Sequence, residues 1–392
     1  MRARNDALFF FGDVGGEPYA EWRNQRARML VDIIAGARPN FMKIAPIIHA
    51  IQRRASLGGA VRFRLVHTGQ HYDARMSGDF FEQLNIPSPD VNLEVGSGTQ
   101  AEQTASIMVR YEALLAERPS DLCLVVGDVT STMACAIAAQ KLLVKVAHVE
   151  AGIRSDDWTM PEEINRRVTD SITNYFFTTS RTANEQLLRC GATDNQIFFV
   201  GNTMIDTLLR NMPRLRQPDF WADAGLSSGN YLVLTLHRPA NVDLMDGFAA
   251  LLQAVAENSR GLPIVFPVHP RSAKTLQGLS GVPPNILMVA PQAYLEFNYL
   301  VKHAKAVITD SGGITEETTV MGVPCMTLRD NTERPETVTV GTNELLGTHP
   351  AALRPALDRL FAGQWKQGAI PELWDGATGE RIADVLERLA AA

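Results

Sequence analysis

Short apolar runs recur along the chain, and between them the apolar positions fall at helical spacing. The runs MLVDIIAG (29–36), RFRLVHTG (62–69), LCLVVGD (122–128), KVAHVEAG (145–152), YFFTTS (175–180) and QIFFVGN (196–202) predict six strands. Segments such as AEQTASIMVRYEALLAE (101–117) predict amphipathic helices between them. Strands that are apolar throughout, alternating with helices, imply a parallel sheet covered on both faces. The series then restarts: NYLVLTLHR (230–238), PIVFPVHPR (263–271), ILMVAP (286–291), AVITDSGG (306–313) and VPCMTLRD (323–330) predict a second strand set. The expected fold is α/β, with two doubly wound Rossmann-like domains and a cleft between them. The expected boundaries are an extension over residues 1–28, an N-terminal domain over 29–200 and a C-terminal domain over 201–369, joined near Gly201. The last helical pattern, within 370–392, can pack on either domain, and packing back onto the first is one expected outcome.

The bulk numbers narrow the function. The chain has 392 residues with 45% hydrophobic and 20% charged content, and a formal net charge of −6. That charge argues against a nucleic-acid or membrane partner held by bulk electrostatics. No apolar run approaches the ~20 residues of a membrane span. The N-terminus has too short an apolar core for a secretion signal. The four cysteines, Cys123, Cys135, Cys190 and Cys325, form no CxxC and read as free thiols in a reducing compartment. A cytoplasmic protein is expected.

Polar and glycine residues cluster where the strands end: Arg38, Gly127-Asp128, Glu150, His237-Arg238, His269-Pro270-Arg271 and Asp310-Ser311-Gly312-Gly313. Open α/β sheets bind ligands at that edge. TDSGGITEETTVMG (309–322) reads as strand, glycine turn and helix, where Gly312 and Gly313 allow close approach and the helix start suits a phosphate. The plainer alternative is that Asp310 or Ser311 caps the helix while Glu316 and Glu317 complement its dipole. Without GxxxxGK[ST], a Walker-type NTPase is not expected. AGARPNFMKIAP (35–46) is a second strand-to-helix turn, whose Arg38 and Lys43 suit either a diphosphate or solvent. Asp128 reads as a helix cap or a catalytic acid. His237 reads as structural or as a cleft residue, and His269 has a weaker form of the same claim. In HTGQHYD (67–73), His67 and His71 could bind a metal only on a helix, which the glycine between them opposes, so no metal is expected. GSGTQA (96–101) fits the dinucleotide glycine pattern but follows a poor strand, so no NAD is inferred.

HVEAGIRSDDWTMPEEINR (148–166) raises its own question, because it gathers Glu150, Asp156, Asp157, Glu162 and Glu163 with Arg154 and Arg166 directly after a strand. A solvated loop can carry such charges; a proton-transfer site needs some of them.

Together these segments resemble the non-hydrolysing UDP-N-acetylglucosamine 2-epimerases. GARPNFMKIAP, GDVTSTMA, HVEAGIRS, MPEEINR, GNTMIDTL, LTLHRPAN, TDSGGITEE and RDNTERPET stand in that family's order, from about Met29 to Gly347. The resemblance implies the two-domain GT-B-type arrangement and a UDP-sugar substrate, without NAD, metal or other cofactor. By motif, it implies that Ser311, Gly312 and Gly313 hold the diphosphate, Glu317 the ribose, and that Phe297 lies near the uracil. Arg38 and Lys43 approach the diphosphate from the other domain. Asp128, Glu150 and Glu162 match the catalytic carboxylates, and His237 the active-site histidine. Asp156, Asp157 and Glu163 fit solvated or salt-bridged roles. A homodimer is implied as well. Gln70 and His71 match a Gln-His pair that serves allosteric activation in some bacterial members. Asn40 stands where many relatives carry an acid, and the loop from Glu150 to Glu162 is shorter than in well-known bacterial enzymes. The expected reaction is reversible epimerisation of UDP-GlcNAc to UDP-ManNAc through a 2-acetamidoglucal. The alternatives are a diacetamido uronate substrate, a hydrolysing epimerase that releases ManNAc, and a glycosyltransferase.

Overall fold

The computed structural model describes residues 28–69, 83–279 and 281–392. The first half of the chain builds one sheet from β1 (Met29–Ala35), β2 (Val61–His67), β3 (Val91–Asn92), β4 (Leu122–Val126), β5 (Lys145–Val149), β6 (Tyr175–Thr178) and β7 (Ile197–Phe199). Its order is β3-β2-β1-β4-β5-β6-β7, and every pairing is parallel. The second half builds another from β8 (Leu232–Thr235), β9 (Ile264–Pro267), β10 (Ile286–Val289), β11 (Ala306–Thr309), β12 (Cys325–Thr327) and β13 (Asn343–Leu345). Its order is β10-β9-β8-β11-β12-β13, again all parallel. The two-sheet α/β architecture read from the sequence is the one found.

Alternation along each strand sends side chains to opposite faces. In β4, Leu122, Leu124 and Val126 enter one core, while Cys123 and Val125 enter the other. In β8, Leu232 and Leu234 face one core and Val233 the other. Helices cover both faces, so the central strands are apolar at nearly every position and the period-2 pattern is hidden in the sequence. One charge breaks the run: Asp32 of β1 is fully buried and takes two 2.7 Å bonds from Arg64 of β2. The Tyr111 hydroxyl adds a third at 3.0 Å. Removing either ion alone would strand the other, at a cost of about 3–5 kcal/mol.

Two edge strands escaped the sequence reading. VNLEV was discounted as a poor strand, yet Val91 and Asn92 pair with β2. β13 is only Asn-Glu-Leu. Edges this short carry too few residues for a pattern. The glycines of GSGTQA precede the helix Gln100–Glu117, whose start is fixed by a reciprocal cap between Thr99 and Glu102.

The chain crosses between the halves twice. At the outbound crossing, Gly201 adopts φ +100°, and a Cβ there would lie 2.2 Å from the Leu373 carbonyl oxygen on the return crossing. Only glycine fits. The last helix, Thr378–Ala391, lies on the helix Arg38–Ser56 of the first half, and its Ile382, Ala383, Val385 and Leu386 join that half's core. Arg54 clamps it through Glu380 at 2.9 Å and Asp384 at 2.7 Å. All four cysteines are free, and only Cys190 is exposed. No described helix is long and apolar enough to cross a membrane. Of the expected N-terminal extension, residues 1–27 lie outside the described residues, as do Gln70 and His71.

Candidate active site

Strand order reverses between β1 and β4 in one sheet and between β8 and β11 in the other. Both switch points expose their carboxyl-terminal ends, the usual place for a ligand.

At the first, Asn40 shapes the turn after β1. Its Oδ1 accepts from the amides of Ala37 at 2.9 Å and Gly36 at 3.2 Å, and its Nδ2 donates to the Val126 carbonyl at 3.0 Å. A carboxylate could accept the first two bonds but could not donate the third, so asparagine ties this turn to the end of β4. Arg38 opens the helix, and its side chain lies outside the described residues. Lys43 reaches Glu150, at the end of β5, with Nζ 2.8 Å from Oε2. Gly127 makes room for it: φ is +70°, and a Cβ there would lie 3.0 Å from Lys43 Nζ.

Glu150 itself has φ +68°, a left-handed backbone that an L side chain adopts at a cost of about 1–2 kcal/mol. The crossover that follows is pinned from below. His148 sits between Asp170 at 2.7 Å and the Gly127 carbonyl at 2.8 Å, and Arg154 joins Asp170 at 2.6 Å. Glu163, fully buried, accepts from the Ser155 amide at 2.9 Å and pairs with Arg166 at 2.9 Å and Arg167 at 2.8 Å. It is a structural clamp. Its neighbour Glu162 is half-buried, and its side chain has no hydrogen bond or ion pair among the described residues. Asp128 faces Arg166 at 2.5 Å. Asp156 pairs with Arg167 at the surface, and Asp157 caps Thr159.

At the second switch point, Asp310 ends β11 fully buried. It accepts the amides of His237 and Arg238 and holds His237 Nδ1 at 2.7 Å. Burial opposes its charge, but the His237 ring, the Arg238 amide and Asn241 outweigh that and lower its pKa. The helix Gly312–Met321 begins beyond it, and neither Asp310 nor Ser311 caps that helix through its side chain. The capping alternative therefore fails: Asp310 orients the histidine turn instead. A Cβ on Gly312 or Gly313 would meet no protein atom closer than 3.8 Å, so the protein's own packing does not require these glycines. Glu317 is buried beside Asn298 and Tyr294 and accepts from Asn298 Nδ2 at 3.3 Å, and burial pushes its carboxyl up to about 7 against the pull of these two neighbours. Phe297 is half-buried on the core formed around Trp221 and Val307.

The two edges meet through ions. Arg334, after β12, places NH2 2.8 Å from Glu150 Oε2 and Nε 2.6 Å from Glu316 Oε1. Asn202 donates to the same Glu316 oxygen at 2.8 Å. Burial works against the charge on Glu150, but Lys43 and Arg334 outweigh it and hold its carboxyl well below the usual range. Glu316 moves upward: burial dominates, Arg334 opposes, and the Glu150 charge adds to the rise. Beside this cluster, Glu333 binds Arg329 at 2.7 Å and Arg238 at 3.3 Å, with Arg166 of the opposite half at 3.6 Å. Burial is again overcome, here by Arg329 and Arg238, and Glu333 is held at about 2. Among the described residues no His, Cys, Asp and Glu side chains gather as a metal site. A cavity of about 330 Å³ lies elsewhere, between His49, Asp206, Arg210 and the return crossing at Asp375 and Gly376.

Ion pairs therefore link the edge that carries Lys43, Glu150 and, through Arg166, Asp128 to the edge that carries Arg334, Glu333 and Arg238, next to His237 and the Gly312 turn. Sequence reasoning missed Arg329, Glu333 and Arg334; it noted Arg238 at a strand end and Glu316 one turn into the helix without joining either to an ion cluster. A signal was present: RDNTERPET follows a strand end with four charges in its first six residues, and strand ends were already the rule for finding ligand groups.

The family described as UDP-N-acetylglucosamine 2-epimerase matches residues 53–387. A UDP-N-acetylglucosamine 2-epimerase of Methanocaldococcus jannaschii is 39% identical over 91% of this chain and 99% of its own length. A UDP-2,3-diacetamido-2,3-dideoxy-D-glucuronate 2-epimerase of Pseudomonas aeruginosa is 38% identical over 92% of this chain and 100% of its own. The crystal structure of the Methanocaldococcus jannaschii UDP-GlcNAc 2-epimerase, in complex with UDP-GlcNAc and UDP, superposes with a TM-score of 0.82 over 92% of this chain and 100% of that one. The Neisseria meningitidis UDP-GlcNAc 2-epimerase bound to UDP-GlcNAc gives 0.82 at 27% identity, over 92% of this chain and all of that one. The chain belongs to the UDP-N-acetylglucosamine 2-epimerase family.

Proposed function

We propose that this protein interconverts UDP-GlcNAc and UDP-ManNAc at C2 without a redox cofactor. The observation that carries the reading is Glu150, held ionised at a strand end in a left-handed backbone, where the two halves meet. The C2 proton passes to a carboxylate as the C1–O bond breaks and its electron pair leaves with UDP. A C1=C2 alkene, the 2-acetamidoglucal, results. Return of a proton to the opposite face of C2 and attack of the UDP oxygen on C1 complete the inversion. The chemistry needs a base, an acid on the other face, and cations for the leaving diphosphate.

In this reading Glu150 is the base. Glu162, free of partners among the described residues, and Asp128 supply the opposing carboxyls. Arg38 and Lys43 meet the diphosphate from one lobe, and Ser311, Gly312 and Gly313 meet it from the other. Neither glycine is needed by the protein's own packing, and a Cβ on Gly312 would come within 3.9 Å of the Arg329 guanidinium, a cation that suits a phosphate at this turn. Phe297 flanks the uracil and Glu317 takes the ribose hydroxyls. His237, oriented by Asp310, presents its other ring nitrogen to the sugar-diphosphate. The lobes, 29–200 with the last helix and 201–369, hinge near Gly201. A homodimer and a cytoplasmic location complete the proposal, and light scattering after size-exclusion chromatography tests the first.

The relative that by name acts on a diacetamido glucuronate is nearly as similar as the GlcNAc enzyme, at 38% against 39% identity. Both UDP-sugars therefore belong in the test. NMR of each with purified protein should show UDP-ManNAc growing to equilibrium with UDP-GlcNAc. Free ManNAc and UDP would point to a hydrolysing enzyme, and reaction of the uronate alone would reassign the substrate.

A further inference from the structure

The ion cluster between the lobes contains two unmatched atoms. Glu150 places Oε2 against both Lys43 Nζ and Arg334 NH2, each at 2.8 Å, while its buried Oε1 has no hydrogen-bond partner among the described residues. Arg334 gives NH2 to Glu150 and Nε to Glu316, and its buried NH1 has no partner either. Arginine and a carboxylate commonly pair through two parallel bonds. Here the pairing is single, because the guanidinium is shared between carboxylates of two lobes. A buried donor and a buried acceptor left unmade cost stability, and packing alone gives no reason to keep them.

We propose that Arg334 is a positioning residue for proton transfer at C2: it pins Oε2 of Glu150 so that Oε1 is the oxygen offered to the substrate. The inference rests on the functional reading above. The line of support runs from Asn202 to Glu316, from Glu316 to Arg334, and from Arg334 across to Glu150. Each link is nine-tenths buried or more, and the Glu150 backbone is itself fixed in the left-handed region. The C2 proton moves to Oε1 while the C1–O electron pair leaves with UDP; Arg334 exchanges no proton. The charged groups facing Glu150 are Lys43 from the first helix, Arg334 and Glu336 from the segment after β12, and Glu316 from the helix after β11. When a diphosphate draws Lys43 away, the carboxylate becomes more basic, and Arg334 remains to hold its orientation.

Arg334→Met and Arg334→Lys test this through pH profiles of kcat and through KM for UDP-GlcNAc. In the methionine variant kcat should fall about 10²-fold. KM should change by less than about threefold, and the acid limb should move up by ~1 unit or more, since a carboxylate that loses a cation keeps its proton to higher pH. Lysine keeps the charge but cannot fork to two carboxylates. It should return the acid limb toward wild type while kcat stays down by roughly tenfold. A methionine variant with the wild-type acid limb, or with its loss confined to KM, overturns the proposal. If that variant does not fold, the lysine variant decides: a kcat within about threefold of wild type overturns the proposal, and a tenfold loss at unchanged KM supports it. Failure of the functional reading looks different, because wild type would then epimerise neither UDP-sugar.

Discussion

Glu150 and Glu317 are equally buried, each 4% exposed, yet their carboxyls move in opposite directions. Glu150 lies between Lys43 and Arg334, and two cations outweigh the loss of water. Among the described residues Glu317 meets the neutral Asn298 and Tyr294, which do not, and it rises to about 7. Burial alone therefore does not fix the state of a carboxyl; the charges around it decide. A base must be ionised before substrate arrives. A group that receives ribose hydroxyls can wait protonated and ionise, or share its proton, once the nucleotide is seated.

The largest expected effect breaks the Glu150 side of this pair. Glu150→Gln should lower kcat by about 10²-fold or more while UDP affinity, read by calorimetry, stays within a few-fold. Wild-type turnover would remove Glu150 from the chemistry. The second test reverses the sign on the Glu317 side. An acid whose pKa is raised by folding contributes most at low pH, and stability declines as pH climbs from the ordinary glutamate range through about 7. Glu317→Gln keeps an acceptor for Asn298 and abolishes that decline. The unliganded variant should be more stable than wild type by roughly 1–3 kcal/mol at pH 8 and nearly equal to it at about pH 4, below the ordinary glutamate pKa, measured by urea unfolding. A gain of the same size at both pH values would mean that packing, not ionisation, is responsible.

A smaller effect is expected from Asp310→Asn. It removes the charge that orients His237 but keeps the side-chain shape, so kcat should fall roughly tenfold, the equivalent of one charge-assisted hydrogen bond of ~1.5 kcal/mol. The smallest is Asp156→Asn. Its pair with Arg167 is exposed, and stability should change by less than about 0.5 kcal/mol with activity intact.

How much of this was legible in the sequence follows from where each contact lies along the chain. The long strands could be read because covered parallel strands are apolar at every position, as in LCLVV of β4. The edge strands β3 and β13 could not, since two or three residues carry no pattern. Glu150 stood out by following a strand directly. Glu163, its companion in the same crossover, looks identical to Glu162 in sequence, and only the fold separates the buried clamp from the half-exposed neighbour. Asp32 was passed over inside an apolar run because its partner Arg64 lies on the adjacent strand. Arg334 is 184 positions from Glu150, and no local rule joins them. It took two sheets with facing switch points to bring a lysine, two glutamates and an arginine into one cluster.

The central claim is that the Glu150 carboxylate removes the C2 proton of a UDP-linked sugar, and isotope exchange tests it most directly. With UDP-GlcNAc in D₂O, wild-type protein should place deuterium at C2 of the UDP-linked epimers, and Glu150→Gln should place none on the same timescale. Labelling by the glutamine variant at the wild-type rate would contradict the account.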